Sequence, residues 1–572
     1  MEYSAILHDM DKRFCYAIDK DLFVIRVQVK KDDIKEIILH YEDKYIPLEW
    51  KDTRKRIPMK KVATSQFHDY YEAQLQMHLI CLRYYFEFTD MQGEKVYYGN
   101  YEFSRECITN RDRMFDCPQN LREEEMFEVP EWAANKVVYQ IFPSRFAATE
   151  PVDKELWYKA PITPMDDLHG NLRGIIEHMD DIQNLGIDVL YMTPIFQSNS
   201  CHKYDTTDYY QIDPSFGTTE DLKELVQKAH ERGMKVVLDA VYNHTGREFF
   251  AFADILENGE KSKYRDWYFI DGFPLKSEWG EIPNFKCFGY YGGMPKLNLK
   301  NPEVEKYITD VACYWIKECD IDGWRLDVGD EISHFFWKNF RKAVKAVKKD
   351  MLIIGEIWHY AGDFLEGDEW DTVMNYPFYL NLIDLLADEK ITVSQFVQNL
   401  GYLKGRLHKN CYPLMWNLID SHDTARFLHL CNDNKKKQHL AAAFQLLLPG
   451  MPMIYYGDEY AMPGANDPDC RRGMYWDEEY QDKEMYEWYK RLIQVRKSHA
   501  CIVEGELAGS VTEDEEGTVV LIRKNGEETI AMIFNCSSSA KKFNEYTQKY
   551  NLLTENTFDG NVEGFDAAVI VL

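Results

Sequence analysis

Residues 323–328 read Gly-Trp-Arg-Leu-Asp-Val, and residues 355–358 read Gly-Glu-Ile-Trp. Each stretch is short and largely apolar, and each delivers a carboxylate, Asp327 or Glu356, at or near its end. A third acid, Asp423, comes shortly after the apolar stretch 416–419. The carboxyl ends of the strands of an α/β barrel meet on one face, where the active site lies. Three strand ends with three acids therefore predict a catalytic barrel.

The segments around these acids repeat the same alternation along the chain. Residues 175–185 have helical apolar spacing that ends at Gly186, and residues 222–229 have the same spacing before Gly233. Eight strands that alternate with helices predict an α/β fold of the (β/α)8 TIM-barrel type. The candidate strands are Val137–Phe142, Val189–Thr193, Lys235–Ala240, Gly323–Val328, Leu352–Ile357, Val373–Tyr376, Trp416–Ile419 and Met453–Tyr456.

The regions on either side of the predicted barrel have the alternating pattern of β-strands. Residues 22–29, 70–75 and 82–88 alternate, and after about residue 500 the helical patterns stop. The crossover after the third strand is too long for one helix, which indicates an inserted lobe over the active-site face. The predicted division is an N-terminal β-sandwich at 1–120, an acidic linker at 121–131, the barrel at 132–499 with the lobe at about 245–295, and a C-terminal β-sandwich at 500–572.

The composition excludes several classes of protein. The chain has 572 residues with 67 Lys and Arg against 96 Asp and Glu, a formal net charge of −29, which argues against a nucleic-acid or anionic-membrane surface. It has no run of membrane-span length, and its first residues lack the basic start and apolar stretch of a signal peptide. The 13 cysteines are scattered without a Cys-x-x-Cys pair, as free thiols of a reducing compartment are. We therefore expect a cytoplasmic enzyme with a neutral substrate.

The three acids and their neighbours fit glycoside hydrolysis. Arg325 and Asp327 are two apart on a predicted strand, so both side chains point to the same side. A guanidinium beside a carboxylate lowers its pKa and keeps it ionised, which suits a nucleophile. Glu356 follows four apolar or small residues, and apolar surroundings favour the protonated acid that a proton donor needs. Asp423 remains to steady the distorted sugar.

Polar and aromatic side chains accompany these acids at other predicted strand ends. His244 ends the stretch Asp239–His244, and His422 directly precedes Asp423. A single histidine is more often structural than catalytic, but a position at a strand end on the active-site face favours a contact with a sugar hydroxyl. Tyr204, after the second strand, has the flat ring that stacks on a pyranose.

With these motifs in place, the chain resembles glycoside hydrolases of the α-amylase family (glycoside hydrolase family 13). It is most similar to the subgroup of neopullulanases, cyclomaltodextrinases and maltogenic amylases, and the resemblance covers nearly the whole chain. The motifs that carry it are Tyr139–Pro143, His202–Asp205, Asp239–His244, Met294–Asn298, Gly323–Asp327, Gly355–His359, Ser421–Thr424 and Asn466–Arg472.

The resemblance implies a role for each matching position. Asp327 is then the nucleophile, Glu356 the general acid and base, and Asp423 the third carboxylate. The family is retaining, so the resemblance implies that the carboxyl groups of Asp327 and Glu356 lie about 5–5.5 Å apart. No redox or organic cofactor is required. The implied sugar-binding residues are Tyr204, His244, Arg325, His422, Asp467 and Arg471, with Trp358 on the acceptor side.

The resemblance also implies the substrates and the assembly. It predicts cleavage of α-1,4-glucosidic bonds in cyclomaltodextrins, pullulan and maltodextrins, with transglycosylation and some α-1,6 activity. It further predicts a homodimer through the N-terminal domain, whose alternative role is to bind starch. Two other interpretations remain open: an α-glucosidase or oligo-1,6-glucosidase of the same family, and a non-catalytic barrel that only binds sugars. The retained acids disfavour the last.

Two stretches depart from the family pattern. Residues 145–150 lack the Asn and Asp oxygens of the calcium loop that many relatives carry, and the later Gly-Asp of relatives is Gly170-Asn171 here. Calcium prefers six to eight oxygen ligands, so we expect weak Ca²⁺ binding or none. After the nucleophile, Gly329-Asp330-Glu331 replaces the usual Ala-Asn-Glu. The added negative charge is expected to alter the balance of hydrolysis and transglycosylation, in a direction that the sequence leaves open.

Overall fold

The computed structural model describes residues 1–45, 54–76, 81–118, 126–276, 280 and 282–572. The chain forms two compact units. The first comprises Met1–Val129, Ala361–Asp371 and Ile391–Tyr412, and the second comprises Pro130–Tyr360, Thr372–Lys390 and Pro413–Leu572. Of the predicted linker at 121–131, residues 121–125 lie outside the described residues. Within the part of the chain that is described, no helix combines the length and the apolar character needed to cross a membrane.

The second unit contains a barrel of eight parallel strands, which confirms the predicted fold class. Each strand pairs with its neighbours in chain order, and the last pairs with the first. A parallel bridge between Met374 and Trp416 joins the sixth strand to the seventh and closes the ring. The strands are β1 (Val138–Ile141), β2 (Val189–Met192), β3 (Lys235–Ala240), β4 (Gly323–Leu326), β5 (Leu352–Gly355), β6 (Thr372–Val373), β7 (Trp416–Asn417) and β8 (Met451–Tyr455).

Most of these strands are shorter at their carboxyl ends than the sequence predicted. The apolar run continues past the last paired residue, but the chain has already left the sheet to form the active-site loops. The clearest case is β6, which was predicted to reach Tyr376. Asn375 instead caps a helix, because its side chain accepts a hydrogen bond from the N–H of Phe378, and Tyr376 is the first residue of that helix.

The helices of the second unit follow the predicted apolar spacing. Thr218 and Asp221 form a reciprocal capping box that starts the helix Thr219–Glu231. The predicted helix over 175–185 is two helices separated at His178, and the second ends at Gly186 with φ of 101°. The helices of this unit are Pro143–Phe146, Lys154–Trp157, Leu172–Glu177, Met179–Leu185, Thr219–Glu231, Phe250–Asn258, Pro302–Cys319, His334–Val347, Tyr376–Leu382, Phe427–Leu430, Lys435–Leu447, Lys483–Ser498 and Cys501–Glu504.

The long crossover after β3 is an irregular segment, as predicted. Its described part contains the helix Phe250–Asn258 and isolated bridges such as His244 with Lys296 and Cys287 with Pro295. Residues 277–279 and 281 of this predicted lobe lie outside the described residues. A second excursion, after β2, forms a two-stranded sheet of Phe196–Ser198 and Thr206–Ile212.

The C-terminal part of the second unit is rich in strands, as predicted. Six strands form one antiparallel sheet, and Lys541–Lys542 pairs with Asn561–Val562 beside it. An apolar cluster that includes Ile533, Phe543 and Ile570 forms its core. The helical pattern was predicted to stop at about residue 500, but a last helix, Cys501–Glu504, with three buried side chains, precedes the first strand of this sheet. The six strands, in sheet order, are Glu506–Glu513, Thr518–Asn525, Glu528–Asn535, Asp566–Val571, Tyr550–Asn551 and Asn556–Thr557.

The first unit is built on two antiparallel sheets whose inner faces share one apolar core. Its helix Val393–Arg406 packs closely on the edge strand, because a Cβ on Gly401 would lie 1.9 Å from the carbonyl oxygen of Thr64. The sequence-based division assigned this helix to the barrel. One sheet consists of Cys15–Ala17, Leu22–Lys30, His68–Gln76 and Lys60–Thr64, and the other of Lys55–Pro58, Ile34–Asp43, Cys81–Asp90, Lys95–Tyr98, Phe103–Ser104 and Phe115–Pro118.

Candidate active site

The centre of the site is the guanidinium of Arg325, which binds carboxylates from three neighbouring strands. Arg325 lies on β4 and is fully buried. Its Nη1 lies 2.9 Å from Oδ1 of Asp327 and 3.1 Å from both carboxylate oxygens of Asp239 on β3. Its Nη2 lies 2.8 Å from Oε2 of Glu356, which directly follows β5. The fold therefore brings Asp327 and Glu356 side by side on one cation.

Three carboxylates share this one guanidinium, so the cluster has an excess of acid. Burial raises the pKa of Asp327 well above its usual value; the neighbouring Glu356 acts in the same direction, and Arg325 opposes it. Burial also raises the pKa of Asp239, to about 6. The prediction of a lowered pKa for Asp327 is wrong, because it considered one cation and one acid, whereas the fold excludes water and adds two more acids. Such a cluster titrates as a unit, and burial favours the protonated forms of Asp327 and Asp239 relative to solvent-exposed aspartic acids.

A strained backbone residue orients Glu356. Val328 has φ of 46°, in the left-handed region that β-branched residues rarely adopt. Its N–H donates to Oε2 of Glu356 at 3.0 Å, and Nε1 of Trp358 donates to Oε1 at 3.2 Å. Strain of this kind persists where the surrounding structure holds it, often at functional sites. The sequence carried no sign of it, because the conformation depends on neighbours from another strand.

The indole of Trp358 forms an open platform at the rim of the site. It is 42% exposed and stacks on Tyr376, with ring centroids 3.8 Å apart and planes at 14°. Tyr376 is fully buried. The pair presents one flat aromatic face outward, which suits stacking on a sugar ring. The sequence predicted Trp358 on the acceptor side of the site, but it predicted Tyr376 only as the last residue of a strand.

His422 is held at the base of the site by two hydrogen-bond partners. Its ring is fully buried, with Nδ1 2.7 Å from Nε2 of Gln140 and Nε2 2.5 Å from the hydroxyl of Tyr204. The Tyr204 hydroxyl also donates to Asp239 at 3.1 Å, so Tyr204 links His422 to the Arg325 cluster. Burial lowers the pKa of His422 well below its usual value, so the ring is neutral. Gln140 belongs to the motif Tyr139–Pro143, but its spacing in the sequence did not predict this contact.

The third acid, Asp423, lies beside a second arginine, Arg471. Asp423 is partly exposed, and its Oδ2 lies 3.2 Å from Nε2 of His422. Arg471 approaches Oδ1 of Asp423 at 3.4 Å, binds Asp467 at 2.8 Å and donates through Nε to the carbonyl of His422 at 2.8 Å. The predicted residues Asp423, His422, Asp467 and Arg471 are therefore neighbours, on loops that follow β7 and β8.

His244 lies at the edge of the same site with one ring nitrogen bound to backbone. Its Nε2 lies 3.1 Å from the carbonyl oxygen of Tyr204, and its ring stacks on Phe288 of the inserted lobe at 5.2 Å. Burial lowers the pKa of His244 to about 3, so the ring is neutral. The predicted contact of His244 with a sugar hydroxyl stays a prediction.

The segment 329–331, which departs from the family pattern at its first two residues, makes contacts with two basic side chains. Oε2 of Glu331 lies 3.0 Å from Nζ of Lys296, and Oδ2 of Asp330 lies 3.9 Å from Nδ1 of His359. Burial raises the pKa of Asp330, and His359 opposes that rise. Burial lowers the pKa of Lys296.

The stretch that corresponds to the calcium loop is tied up by protein contacts. Oδ1 of Asn171 caps a helix by accepting from the N–H of Gly174 at 2.8 Å, and its Nδ2 donates to Thr149 at 3.1 Å. The carboxylate-poor residues 145–150 offer few of the oxygens that Ca²⁺ prefers. In the described ranges no group of three or more His, Cys, Asp and Glu side chains is arranged to hold a metal ion.

A closed parallel barrel with paired carboxyls at its strand ends, and a sugar-sized aromatic platform beside them, defines a glycosidase of the barrel class. Sequence comparison gives the family. A family model described as "Alpha amylase, catalytic domain" matches residues 140–480, and one described as "Alpha amylase, N-terminal ig-like domain" matches residues 1–119. The chain belongs to the α-amylase family.

Relatives with assigned names cover almost the whole chain. A cyclomaltodextrinase of Geobacillus thermopakistaniensis (strain MAS1) is 42% identical over 94% of this chain and 92% of its own length. Neopullulanase 2 of Thermoactinomyces vulgaris is 39% identical over 94% of this chain and 91% of its own. An intracellular maltogenic amylase of Bacillus subtilis is 38% identical over the same shares.

Solved structures agree. A cyclomaltodextrinase matches with a TM-score of 0.94 and 36% identity, and the match covers 100% of both chains. A cyclic alpha-maltosyl-(1→6)-maltose hydrolase of Arthrobacter globiformis, in complex with cyclic alpha-maltosyl-(1→6)-maltose, matches with a TM-score of 0.71 and 35% identity. That match covers 78% of this chain and 100% of the hydrolase.

Proposed function

We propose that this protein is a retaining glycosidase that cleaves α-1,4-glucosidic bonds in cyclomaltodextrins, pullulan and maltodextrins. Transglycosylation and some α-1,6 cleavage accompany this activity. The observation that carries the proposal is the guanidinium of Arg325 between Asp327 and Glu356, which pairs an acid and a nucleophile on adjacent strands. The names of relatives that align over more than nine-tenths of the chain support the substrate class.

In the first step Asp327 is the nucleophile and Glu356 is the acid. A carboxylate oxygen of Asp327 bonds to the anomeric carbon, and the bond from that carbon to the glycosidic oxygen breaks. Glu356 gives its proton to the leaving oxygen, which departs as a sugar hydroxyl. Arg325, whose Nη1 lies 2.9 Å from Oδ1 of Asp327, favours the ionised form of that carboxyl group, which the nucleophile needs.

In the second step Glu356 acts as the base. It takes a proton from a water molecule, whose oxygen bonds to the anomeric carbon as the bond to Asp327 breaks, so the net configuration is retained. If a sugar hydroxyl replaces the water, the product is a new glycosidic bond. The exposed face of Trp358, whose N–H reaches Glu356, lies where such an acceptor sugar would stack.

Asp423, His422, Arg471 and Asp467 would bind the sugar on the donor side. Their hydrogen-bonding groups converge next to the Arg325 cluster. Tyr204 offers its ring as a stacking surface, since its hydroxyl is anchored on His422 and Asp239. The carboxylate of Asp423 would bind hydroxyl groups of this sugar. Its attraction to the sugar would increase as the ring gains positive charge in the transition state.

The mechanism requires no cofactor, because two carboxyl groups and water supply every proton and bond. We further propose that Ca²⁺ binds weakly or not at all to the loop at 145–150. The engaged side chain of Asn171 supports this proposal. A cytoplasmic location is part of the same proposal, and relatives named intracellular maltogenic amylase support it.

We propose a homodimer in which the N-terminal domain forms the contact. Phe67 and Tyr101 of that domain are 65% and 75% exposed, which is unusual for large aromatic side chains and suits a protein or sugar contact. Sedimentation velocity of the full chain over a range of concentrations tests the proposal. A monomer that is retarded in starch-containing gels would instead support the starch-binding alternative.

The decisive experiment is parallel product analysis on γ-cyclodextrin, pullulan and soluble starch, with Asp327→Asn as the control. Maltose from the cyclodextrin and panose from pullulan, with slow attack on starch, are the expected products. Glucose alone from short linear or α-1,6-linked sugars would move the assignment to an α-glucosidase of the same family. Products formed equally by the control variant would remove Asp327 as the nucleophile.

A further inference from the structure

A second pair of buried carboxyl groups lies behind the donor side of the site. Asp420 follows β7, and Asp458 follows β8. Both side chains are only 1% exposed, and neither takes part in the proposed mechanism. The guanidinium of Arg426, also fully buried, lies between the segments that carry them.

The contacts of the pair leave one oxygen on each carboxyl group. Oδ1 of Asp458 accepts from Nη1 of Arg426 at 2.8 Å, and Oδ2 of Asp420 accepts from the N–H of Phe427 at 2.7 Å. No N–H or hydroxyl group among the described residues donates to the remaining Oδ1 of Asp420 or Oδ2 of Asp458. The two side chains instead lie within hydrogen-bond reach of each other. Two carboxylates have no hydrogen to share, so one of them must carry a proton.

Charge leads to the same conclusion. Arg426 can balance one of the two carboxyl groups, and an unbalanced buried carboxylate costs several kcal/mol. Glu459 adds no positive charge; burial raises its pKa to about 7, and it accepts from Tyr139 and from the N–H of Gly457. The other titratable groups that surround the cluster are Tyr379, Tyr455, Tyr456, Cys470 and Tyr489, which are neutral when protonated. Burial raises the pKa of both Asp420 and Asp458.

The pair is connected to the donor-side residues by short links. Asp420 precedes His422 by two residues. Arg426, which is bound to Asp458, donates through Nε to the carbonyl of Cys470 at 3.0 Å. The next residue, Arg471, donates to the carbonyl of His422 at 2.8 Å. The loops after β7 and β8 are therefore joined by the contacts of Arg426 with Asp458 and Cys470 and by that of Arg471 with His422, and the carboxyl pair lies beside these links.

We propose that Asp420 and Asp458 share one proton, and that this hydrogen bond positions the loop that carries His422 and Asp423. They are positioning residues, since they touch no reacting atom. Loss of the shared proton then limits the activity and stability of the enzyme at alkaline pH. When the shared proton is lost, two carboxylates confront each other in a site with one guanidinium, and the loops after β7 and β8 separate.

The direction of the pH effect follows from the raised pKa values of Asp420 and Asp458. Between the usual pKa of an aspartic acid and the raised pKa of the pair, the folded protein binds one proton more than the unfolded chain. Stability therefore falls as pH rises through that window, and the loss is complete above the raised pKa. Activity that depends on His422 and Asp423 is lost at the alkaline end of the same window.

The test compares single and double amide variants of the full chain. In Asp458→Asn the amide donates permanently to Asp420 and still accepts from Arg426; Asp420→Asn gives the mirror arrangement. Asp420→Asn keeps the carboxylate of Asp458 on Arg426, and Asp458→Asn keeps the nearby carboxylate of Asp420, whose ionised form Arg426 favours, whereas Asp420→Asn/Asp458→Asn leaves that guanidinium unbalanced. The matched control is Asp322→Asn, which removes another fully buried carboxylate; hydrogen bonds from His230 and Lys348 hold its pKa well below its usual value, and Lys235 also pairs with it.

A shared proton predicts a distinct pattern. Each single variant keeps kcat/KM at neutral pH within about threefold and moves the alkaline limbs of activity and of unfolding upward by about one pH unit or more, whereas the double variant loses at least about tenfold, a non-additive result. The control variant is less stable at neutral pH. In infrared difference spectra, wild type minus Asp458→Asn contains the carbonyl stretch of a protonated carboxylic acid at neutral pH.

Two results would overturn the proposal. One is the absence of that infrared band, because then both groups are ionised. The other is a single variant whose alkaline limbs stay in place, because then the pair does not set them. The infrared and unfolding measurements do not depend on the proposed substrate, so failure of the proposed function remains separate from failure of the shared proton.

Discussion

Replacement of Arg325 by methionine tests the central geometry of the site. The substitution keeps much of the aliphatic volume but removes the cation that lies 2.9 Å from Asp327 and 2.8 Å from Glu356. Removing one partner of a buried ion pair costs about 3–5 kcal/mol. If that cost falls on the ionised form of Asp327, kcat/KM at neutral pH drops by roughly 10²- to 10⁴-fold.

The same reasoning fixes the direction of the pH shift. Arg325 favours the ionised form of Asp327, so its loss raises a pKa that burial has already raised. The nucleophile must be ionised, and the acid limb of kcat/KM therefore moves to higher pH by about 2 units or more. Hydrolysis of γ-cyclodextrin measured across pH, with folding checked by circular dichroism, gives both numbers.

Arg496→Met is the matched control for this prediction. Arg496 is also fully buried, but it donates to the backbone carbonyls of Leu446 and Leu448 at 2.8 and 3.0 Å. Its replacement is expected to lower stability and to leave the acid limb in place. The reasoning fails if Arg325→Met keeps the wild-type acid limb, or if both variants shift the limb equally.

Four further predictions concern the nucleophile, the aromatic platform, a second buried acid and the loop at 145–150. Asp327→Asn abolishes turnover but leaves maltodextrin binding measurable by isothermal titration; lost binding would point to misfolding instead. Trp358→Ala lowers the ratio of transfer to hydrolysis products by several-fold in chromatographic assays, and an unchanged ratio would remove the platform. Asp322→Asn costs about 3 kcal/mol in urea unfolding at pH 7, because its depressed pKa favours the ionised folded state, and the difference shrinks as pH falls through that depressed pKa. Chelator-treated protein shows no tight Ca²⁺ uptake by titration; tight uptake would show that the loop at 145–150 still binds.

The sequence was sufficient for the barrel because strand positions depend on local apolar runs. All eight predicted strands overlap an observed one, and their ends place Asp327, Glu356 and Asp423 on one face. The exact ends were less predictable. An apolar residue such as Val328 looks like the continuation of a strand, but it has a left-handed φ of 46° and donates its N–H to Glu356.

What the sequence could not provide was the convergence of groups from distant segments. The two-residue spacing of Arg325 and Asp327 predicted their contact, and the structure shows it at 2.9 Å. The same spacing gives no information about Asp239, which lies 86 residues earlier and accepts a hydrogen bond from the same guanidinium. The wrong sign for the pKa of Asp327 has a related origin: burial is the largest cause of the rise, with Glu356 next, and neither follows from the spacing of Arg325 and Asp327.

The two buried acid clusters obey one rule and differ in what they face. Around Arg325, and again around Arg426, carboxyl groups from neighbouring strand ends outnumber the single guanidinium. Burial raises the pKa of acids in both clusters, those of Asp327 and Asp239 beside Arg325 and those of Asp420 and Asp458 beside Arg426. Beside Arg325 the carboxyl group of Glu356 adjoins the aromatic platform of Trp358, where the proposed mechanism brings the glycosidic oxygen. Beside Arg426 both carboxyl groups are only 1% exposed, so the proton that we propose they share would hold the loops after β7 and β8. Both clusters place more carboxyl groups than guanidinium groups in a buried site, and we infer that access to the substrate decides whether the excess serves acid catalysis or holds loops in place.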